Sequence, residues 1–241
     1  MLSDSDKAFL YGTCWGDGTI TKACFLKLAH SAKQADYLKW KVEVLSRILK
    51  CEPWVEFYNA KCNGKEYPAC QWYSPVSDVL KQIRNVLYIS GKKTITPELL
   101  SNMNLQSLSI LHMDDGHLHI RKRGVNRNGE PYIRERQVEL NLYVTLSEAV
   151  LISEWIFNLT GARLQPRQPN KKGCPGSYNL RCSGFAARTF IQAIENYKAP
   201  SMEYKFALQY DQNSNRGKTN WSETDLQKYV EVDKRTRARN A

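Results

Sequence analysis

Two acid–glycine pairs stand at corresponding points of this chain, and carboxylates placed in that way can hold a hard divalent cation. Asp17-Gly18 closes the apolar run AFLYGTCWGDGTI, and Asp115-Gly116 closes the run QSLSILHMDDGHL. A carboxylate at the end of a helix sits on a rigid element yet faces outward, and the glycine after it lets the chain turn sharply into a strand. Mg²⁺ takes oxygen ligands, typically one or two carboxylates together with water and phosphate oxygens. A cation held there can generate hydroxide, neutralise a phosphodiester and stabilise its leaving oxygen. Cutting both strands of a duplex needs two such sites, and the chain offers two related acids. His117 and His119 lie beside Asp115 and share one face of a strand, but no third soft ligand is near in sequence, which disfavours a histidine metal site.

The elements that must position these acids repeat. The two acids are 115 − 17 = 98 residues apart, a separation that suits one compact unit per copy. After the first apolar helix, residues 19–30 alternate as strands do. Residues 33–50 then form a helix with Tyr37, Trp40, Val44, Leu45 and Ile48 on one face. Strands at 54–62 and 66–73 flank Asn63-Gly64, a strong hairpin signal, and a helix follows over 76–88. The second copy has strands at 117–123 and 132–144 and a helix at 147–159, with Leu146-Ser147-Glu148 resembling its cap. Strands at 163–168 and 178–182 and a helix over 185–197 complete it. Each copy reads α-ββ-α-ββ-α, an α+β fold of two pseudo-symmetric halves over 1–103 and 104–210, with a basic tail at 211–241. Trp54, Trp72 and Tyr73 are expected in the core.

Composition names a partner class. Lys plus Arg number 35 against 24 for Asp plus Glu, a formal charge of +11. A polyanion relieves the self-repulsion of such a surplus, and nucleic acid does so through phosphate contacts and counterion release. The seven cysteines include no CxxC pair, which argues against both a disulfide framework and a zinc site. Cys62 and Cys70, like Cys174 and Cys182, are expected as half-buried thiols on strands. No stretch is apolar enough for a membrane span and no secretory pattern opens the chain, so a soluble intracellular protein, of a bacterial or phage cytoplasm or an organelle, is expected.

The segments Leu10-Tyr11-Gly12-Thr13-Cys14-Trp15-Gly16-Asp17-Gly18 and Leu108-Ser109-Ile110-Leu111-His112-Met113-Asp114-Asp115-Gly116 resemble the two signature helices of LAGLIDADG homing endonucleases, in the single-chain, double-motif branch. The resemblance covers about residues 5–208. It implies motif helices packed along a pseudo-twofold axis and two four-stranded sheets forming a saddle over double-stranded DNA. It implies a monomer that hydrolyses both strands of a long asymmetric site, in the service of intron homing. The last acid of each motif, Asp17 and Asp115, would bind Mg²⁺, for which Mn²⁺ or Ca²⁺ could substitute in binding. Gly16 and Asp114 beside them are further metal candidates, although a solvent-facing or capping role suits Asp114 better. Gly12 and Gly16 permit a close helix approach, whereas Ile110 and Asp114 at the matching positions suggest looser packing.

By the same resemblance Lys93 and Lys205, at the end of each copy, are expected as active-site lysines that stabilise developing phosphate charge or orient water. DNA contacts are expected from Lys22, Lys27, Lys61, Lys65, Gln71, His117, His119, Arg121, Lys122, Arg123, Arg134, Arg136, Arg167 and Arg181. Asn126, Arg127 and Lys171 join them at hairpin tips. Two other readings use the same fold: an intron maturase that binds structured RNA, and a catalytically silent DNA-binding regulator. Retention of both acids disfavours the regulator, because a pure binder gains nothing from holding carboxylates against phosphate.

Overall fold

A computed structural model of the protein describes residues 2–125, 131–169 and 176–208, apart from the side chains of Cys62, 120–125 and 131–135. The first half runs α1 (Asp4–Trp15), β1 (Thr19–Ile20), β2 (Leu26–Ser31), α2 (Ala35–Leu49), β3 (Glu56–Cys62), β4 (Lys65–Tyr73) and α3 (Asp78–Leu87). A small hairpin, β5 (Tyr88–Ile89) and β6 (Lys92–Lys93), and helix α4 (Pro97–Ser101) follow. The second half runs α5 (Leu105–Asp115), β7 (Gly116–Val125), β8 (Pro131–Val144), α6 (Leu146–Thr160), β9 (Gln165–Arg167), β10 (Tyr178–Ser183) and α7 (Gly184–Ile194). The repeated αββαββα order is present. The hairpin and α4 are elements that the sequence pattern did not reveal, being too short to carry a period.

Both halves build a four-stranded sheet with the same order, β1-β2-β4-β3 and β7-β8-β10-β9. In the β3–β4 hairpin, Asn63 and Gly64 have φ of 50° and 74°, the left-handed pair that a two-residue turn of this hand requires. Met1–Arg121 and Glu135–Ala207 make one compact unit, to which all contacts described below belong. Lys122–Arg134 with Leu208–Ala241 make another, described only at the end of β7, the start of β8 and residue 208. No described helix is long and apolar enough to cross a membrane.

The helix starts are chemically marked. Ser3 accepts the Asp6 N–H at the head of α1, and Asn104 with Ser107 forms a capping box at the head of α5. Thr145 and Glu148 form a second box on α6, one residue earlier than the sequence suggested. Helices α1 and α5 pack together, and over 8–15 and 107–113 they are buried all round, as helices at the centre of a fold must be. Gly12 makes the contact close: a Cβ there would lie 2.7 Å from Ser107 Cα. Ser107 Oγ in turn donates to the Ala8 carbonyl at 2.7 Å.

Two expectations about the core are corrected. The buried face of α2 is Tyr37, Leu38, Lys41, Val42, Leu45 and Ser46, with Trp40, Val44 and Ile48 only half-buried. The face was misread because it contains a lysine, which a hydrophobic pattern scores as solvent. Trp72 is core at 2% exposure, but Tyr73 is 43% and Trp54 77% exposed. Tyr73 follows Trp72 on β4 and therefore points from the opposite face, while Trp54 precedes β3 outside the sheet. Cys70 and Cys182 are buried free thiols on β4 and β10; Cys174 and the Cys62 side chain lie outside the described residues.

Candidate active site

The two motif helices end differently. Helix α1 stops at Trp15, with the Gly16 N–H bonded to the Gly12 carbonyl and the Gly18 N–H reaching back to Thr13 at 2.9 Å. Helix α5 continues through Asp115 and is closed by the Gly116 N–H on the His112 carbonyl. Shifted by the repeat of 98, Trp15 corresponds to Met113, so α1 stops two residues earlier in its motif than α5 does. The Asp17 N–H is therefore outside its helix and needs an acceptor of its own.

That acceptor is Asp114. Its Oδ2 takes the Asp17 N–H at 3.0 Å, while its Oδ1 accepts from Tyr37 Oη at 2.6 Å and Lys41 Nζ at 2.5 Å. The side chains of Lys41 and Asp114 are both 0% exposed. Of the roles expected for Asp114 from sequence, the solvent-facing one is ruled out and the capping one describes the contact, except that the capped N–H belongs to the other half. Both of its oxygens already face protein donors. The looser packing expected around Asp114 is also corrected. A Cβ on Gly16 would lie 2.1 Å from Asp114 Oδ2, so the carboxylate fills the space that the glycine leaves open.

The two lysines expected from sequence occupy matching places. Lys93, from β6, donates to the carbonyls of Trp15 at 3.0 Å and Gly16 at 2.8 Å. Lys205, from the 3-10 turn at Pro200–Lys205, donates to Met113 at 2.5 Å and Asp114 at 3.4 Å. The carbonyl pairs 15/16 and 113/114 differ by the same 98 residues. Each ammonium thus meets the negative end of a motif helix, where a cation is favoured. Desolvation pulls the pKa of both lysines down, against the pull of the nearby carboxylates.

The acids feel the opposite strain. Asp115 is pushed up to about 7, first by burial and then by Asp17 and Asp114. Asp17 is raised by burial and by Asp114. Among the described residues no side chain hydrogen-bonds the Asp115 carboxylate, and Asp17 Oδ2 has only His30 Nδ1 at 3.6 Å. Burial lowers His30 to about 4, so this ring is neutral and supplies no compensating charge at neutral pH. Two helix C-termini, which carry negative potential, thus present two carboxylates to each other without full neutralisation.

Those donors fit a hard cation. Among the described residues no three His, Cys, Asp or Glu side chains converge into a closed cage. Mg²⁺ needs only one or two carboxylates when water and phosphate supply the rest. The Gly16 carbonyl is engaged by Lys93. His117, His119, Glu139, Asn141 and Tyr143 line an open recess of about 380 Å³ with Asp114 and Asp115.

The candidate DNA contacts divide by register. Lys27 pairs with Tyr73 and lies over its ring at 5.3 Å, and Gln71 pairs with Ala29 and Glu56 on the same face. Lys65 falls on that face by alternation. Lys61 pairs with Glu66 on the opposite one and is bridged to it at 3.5 Å. Lys22 is exposed in the turn between β1 and β2 rather than on a strand. In the second sheet Arg181 pairs with Glu139 and binds it at 2.9 Å, and His119 Nε2 lies 3.9 Å from the same carboxylate. His117 stacks edge-on against His119 at 4.0 Å, and Arg167 is exposed opposite Asn179. Arg136 is 9% exposed, on the strand face shared with Val138 and Leu140, so an exposed groove-reading position is corrected to a buried one. Arg121, Lys122, Arg123 and Arg134 are on β7 and β8 with side chains outside the described residues. Asn126, Arg127, Lys171 and the tail lie outside them altogether.

His30, Tyr37, Lys41 and Glu139 were missed. The i, i+4, i+8 alignment of Tyr37, Lys41 and Leu45 was the available signal for one face. His30 and Glu139 offered none, since each reaches the site through strand pairing.

Comparison with known proteins agrees with the geometry. The model of the LAGLIDADG DNA endonuclease family matches residues 7–162. The protein RecA of Mycolicibacterium flavescens is 27% identical over 212 residues, covering 85% of this chain and 47% of the relative. That of Mycobacterium gastri is 27% identical over 213 residues, covering 85% and 48%. The chain spans about half the length of these curated relatives. Among solved structures, the homing endonuclease I-WcaI bound to its DNA recognition sequence has a TM-score of 0.68 at 18% identity, with 86% of this chain and 87% of that chain covered. The meganuclease I-SmaMI bound to uncleaveable DNA with a TTCT central four has a TM-score of 0.50 at 9% identity, with 84% and 87% covered. At those identities the likeness is one of fold. With its family model matched over 162 − 7 + 1 = 156 of 241 residues, this chain belongs to the LAGLIDADG DNA endonuclease family.

Proposed function

We propose that the chain is a site-specific endonuclease that hydrolyses both strands of double-stranded DNA at a long asymmetric target, acting as a monomer with Mg²⁺. The observation that carries this reading is the juxtaposition of Asp17 and Asp115, two mutually repelling carboxylates at the ends of packed helices, each beside a lysine on its helix end. A bound divalent cation would supply an activated water and neutralise the phosphate. The name of the curated relatives, protein RecA, is not carried over, since this chain covers only about half of their length.

The chain's own residues divide the remaining work. Asp17 and Asp115 would hold the metal. Lys93 and Lys205 each have three donors and use two on helix carbonyls, leaving one N–H for a phosphate oxygen or an attacking water. Asp114 and the Gly16 carbonyl are assigned positioning rather than ligation, because protein donors already engage them. Lys27, Lys65 and Gln71 on one sheet, and His117, His119, Arg167 and Arg181 on the other, are the described side chains placed to read or track the duplex.

Cleavage of a randomised duplex library tests the reading. With Mg²⁺, cuts should accumulate at one long sequence, and EDTA or Asp17→Asn/Asp115→Asn should abolish them. Absence of cutting together with tight, metal-independent binding of structured RNA would replace the nuclease with a maturase.

A further inference from the structure

The first metal-binding acid is held in place by the second motif. The Asp17 N–H, left outside helix α1 by its stop at Trp15, donates to Asp114 Oδ2 at 3.0 Å, and Asp114 is itself fixed by Tyr37 at 2.6 Å and Lys41 at 2.5 Å. Tyr37 is 1% exposed, and the side chains of Lys41 and Asp114 are 0% exposed, so water does not compete for these bonds. Gly16 provides the room, since any Cβ there would overlap the carboxylate. Among the described residues the second half carries no such device. Asp115 is the last residue of α5, and the residue at the Asp114 position of the first motif is Gly16, which has no side chain to return the contact. Counted from the first residue of each helix, Lys41 is the seventh of α2 and Ile152 the seventh of α6, both fully buried.

We propose that Asp114, with Lys41 and Tyr37, is a positioning clamp for Asp17 alone, and that it makes the two strand cuts mechanistically unequal. This rests on the nuclease reading above. The carboxylate stands in for the Thr13 carbonyl, which the Gly18 N–H occupies, so the backbone carrying Asp17 is fixed before any cation or DNA arrives. Asp115 needs no clamp because it rides on an unbroken helix. Loss of the clamp therefore frees one acid and leaves the other in place, and reaction rates respond steeply to such misplacement.

Two variants and two readouts test this. Tyr37→Phe removes one hydroxyl without unpairing the buried charges, and Asp114→Asn keeps the shape but weakens acceptance. In ¹⁵N-labelled protein without metal or DNA, the Asp17 amide should exchange with solvent at least about tenfold faster in both variants, while the Asp115 amide is unchanged. On a duplex selected from the library, labelled on either strand, the ratio of the two strand-specific nicking rates should shift by about tenfold. Equal slowing of both strands, or an Asp17 amide whose exchange is unchanged, would overturn the clamp. If no duplex is cut by the wild type, the nuclease reading fails, and the exchange measurement still decides whether the clamp exists.

Discussion

The ends of α1 and α5 are related by the repeat, yet they solve the same problem differently. Both must deliver a carboxylate to a shared site at a helix C-terminus, where the helix dipole disfavours it. Both recruit a lysine onto the last carbonyls, Lys93 on 15 and 16, Lys205 on 113 and 114. Beyond that the symmetry fails. The second end spends a continuous helix on Asp115, while the first breaks at Trp15 and borrows a buried carboxylate from its partner. What is preserved is the chemistry of the site, and what diverges is the support under it. A fused repeat is free to diverge in this way, because each copy of the motif faces one partner only.

The largest effect should come from the shared chemistry. Asp17→Asn and Asp115→Asn should each lower double-strand cleavage by about a thousandfold or more, while leaving DNA affinity within a few fold, read by cleavage kinetics and filter binding. If either single variant cut normally, the two ends would not be equivalent in function.

The next effect separates the supports. Lys41→Met leaves the Asp114 carboxylate buried beside a neutral side chain, which should destabilise the protein by about 3–5 kcal/mol in urea unfolding. At the corresponding place in the second half, Ile152→Val should cost only about 0.5–1.5 kcal/mol. Comparable losses would mean that Lys41 is no more than packing. Gly12→Ala should cost about 1–3 kcal/mol, because its Cβ meets the Ser107 backbone rather than a movable side chain.

Buried titratable groups make stability depend on pH in two opposite directions. His112 is fully buried and its pKa is lowered to about 4 from an ordinary 6.5. Its contribution to stability is complete above pH 6.5 and is lost as pH falls from 6.5 to 4, by about 3 kcal/mol at most. Asp115 is raised to about 7, so ionising it destabilises the fold progressively as pH climbs from about 4 to 7. Asp115→Asn should therefore stabilise the metal-free protein at pH 8 by about 1–3 kcal/mol, measured by thermal unfolding in EDTA. A variant less stable than the wild type would contradict the charge strain assigned to the site. Smaller still is the effect of salt on single contacts: removing one phosphate-tracking lysine such as Lys65 should reduce the log–log salt slope of DNA binding by about 0.9.

The parts of this molecule that follow local rules were legible in its sequence. Asp17 and Asp115 stood before glycines at the ends of apolar runs, Asn63-Gly64 marked its turn, and the αββαββα order followed from changes of hydrophobic period. The lysines were legible only through the family resemblance, because nothing local distinguishes Lys93 or Lys205 from surface lysine. What escaped was long-range. Lys41 reads as polar until Asp114, 73 residues away, is seen opposite it. Asp114 could not be told from a solvent-facing acid without knowing that Gly16 leaves a space for it. His30 reaches Asp17, and Arg136 faces the core, only through strand register, where a shift of one residue exchanges the two faces.

Strand-resolved cleavage of the selected duplex, by the Asp17→Asn/Asp115→Asn protein and the wild type in Mg²⁺ and in EDTA, tests the paired-carboxylate site most directly. A two-carboxylate metal site should give cutting of both strands by the wild type in Mg²⁺ alone, with the double variant bound to the same duplex but inert. Cleavage that survives EDTA or the loss of both carboxylates would contradict it.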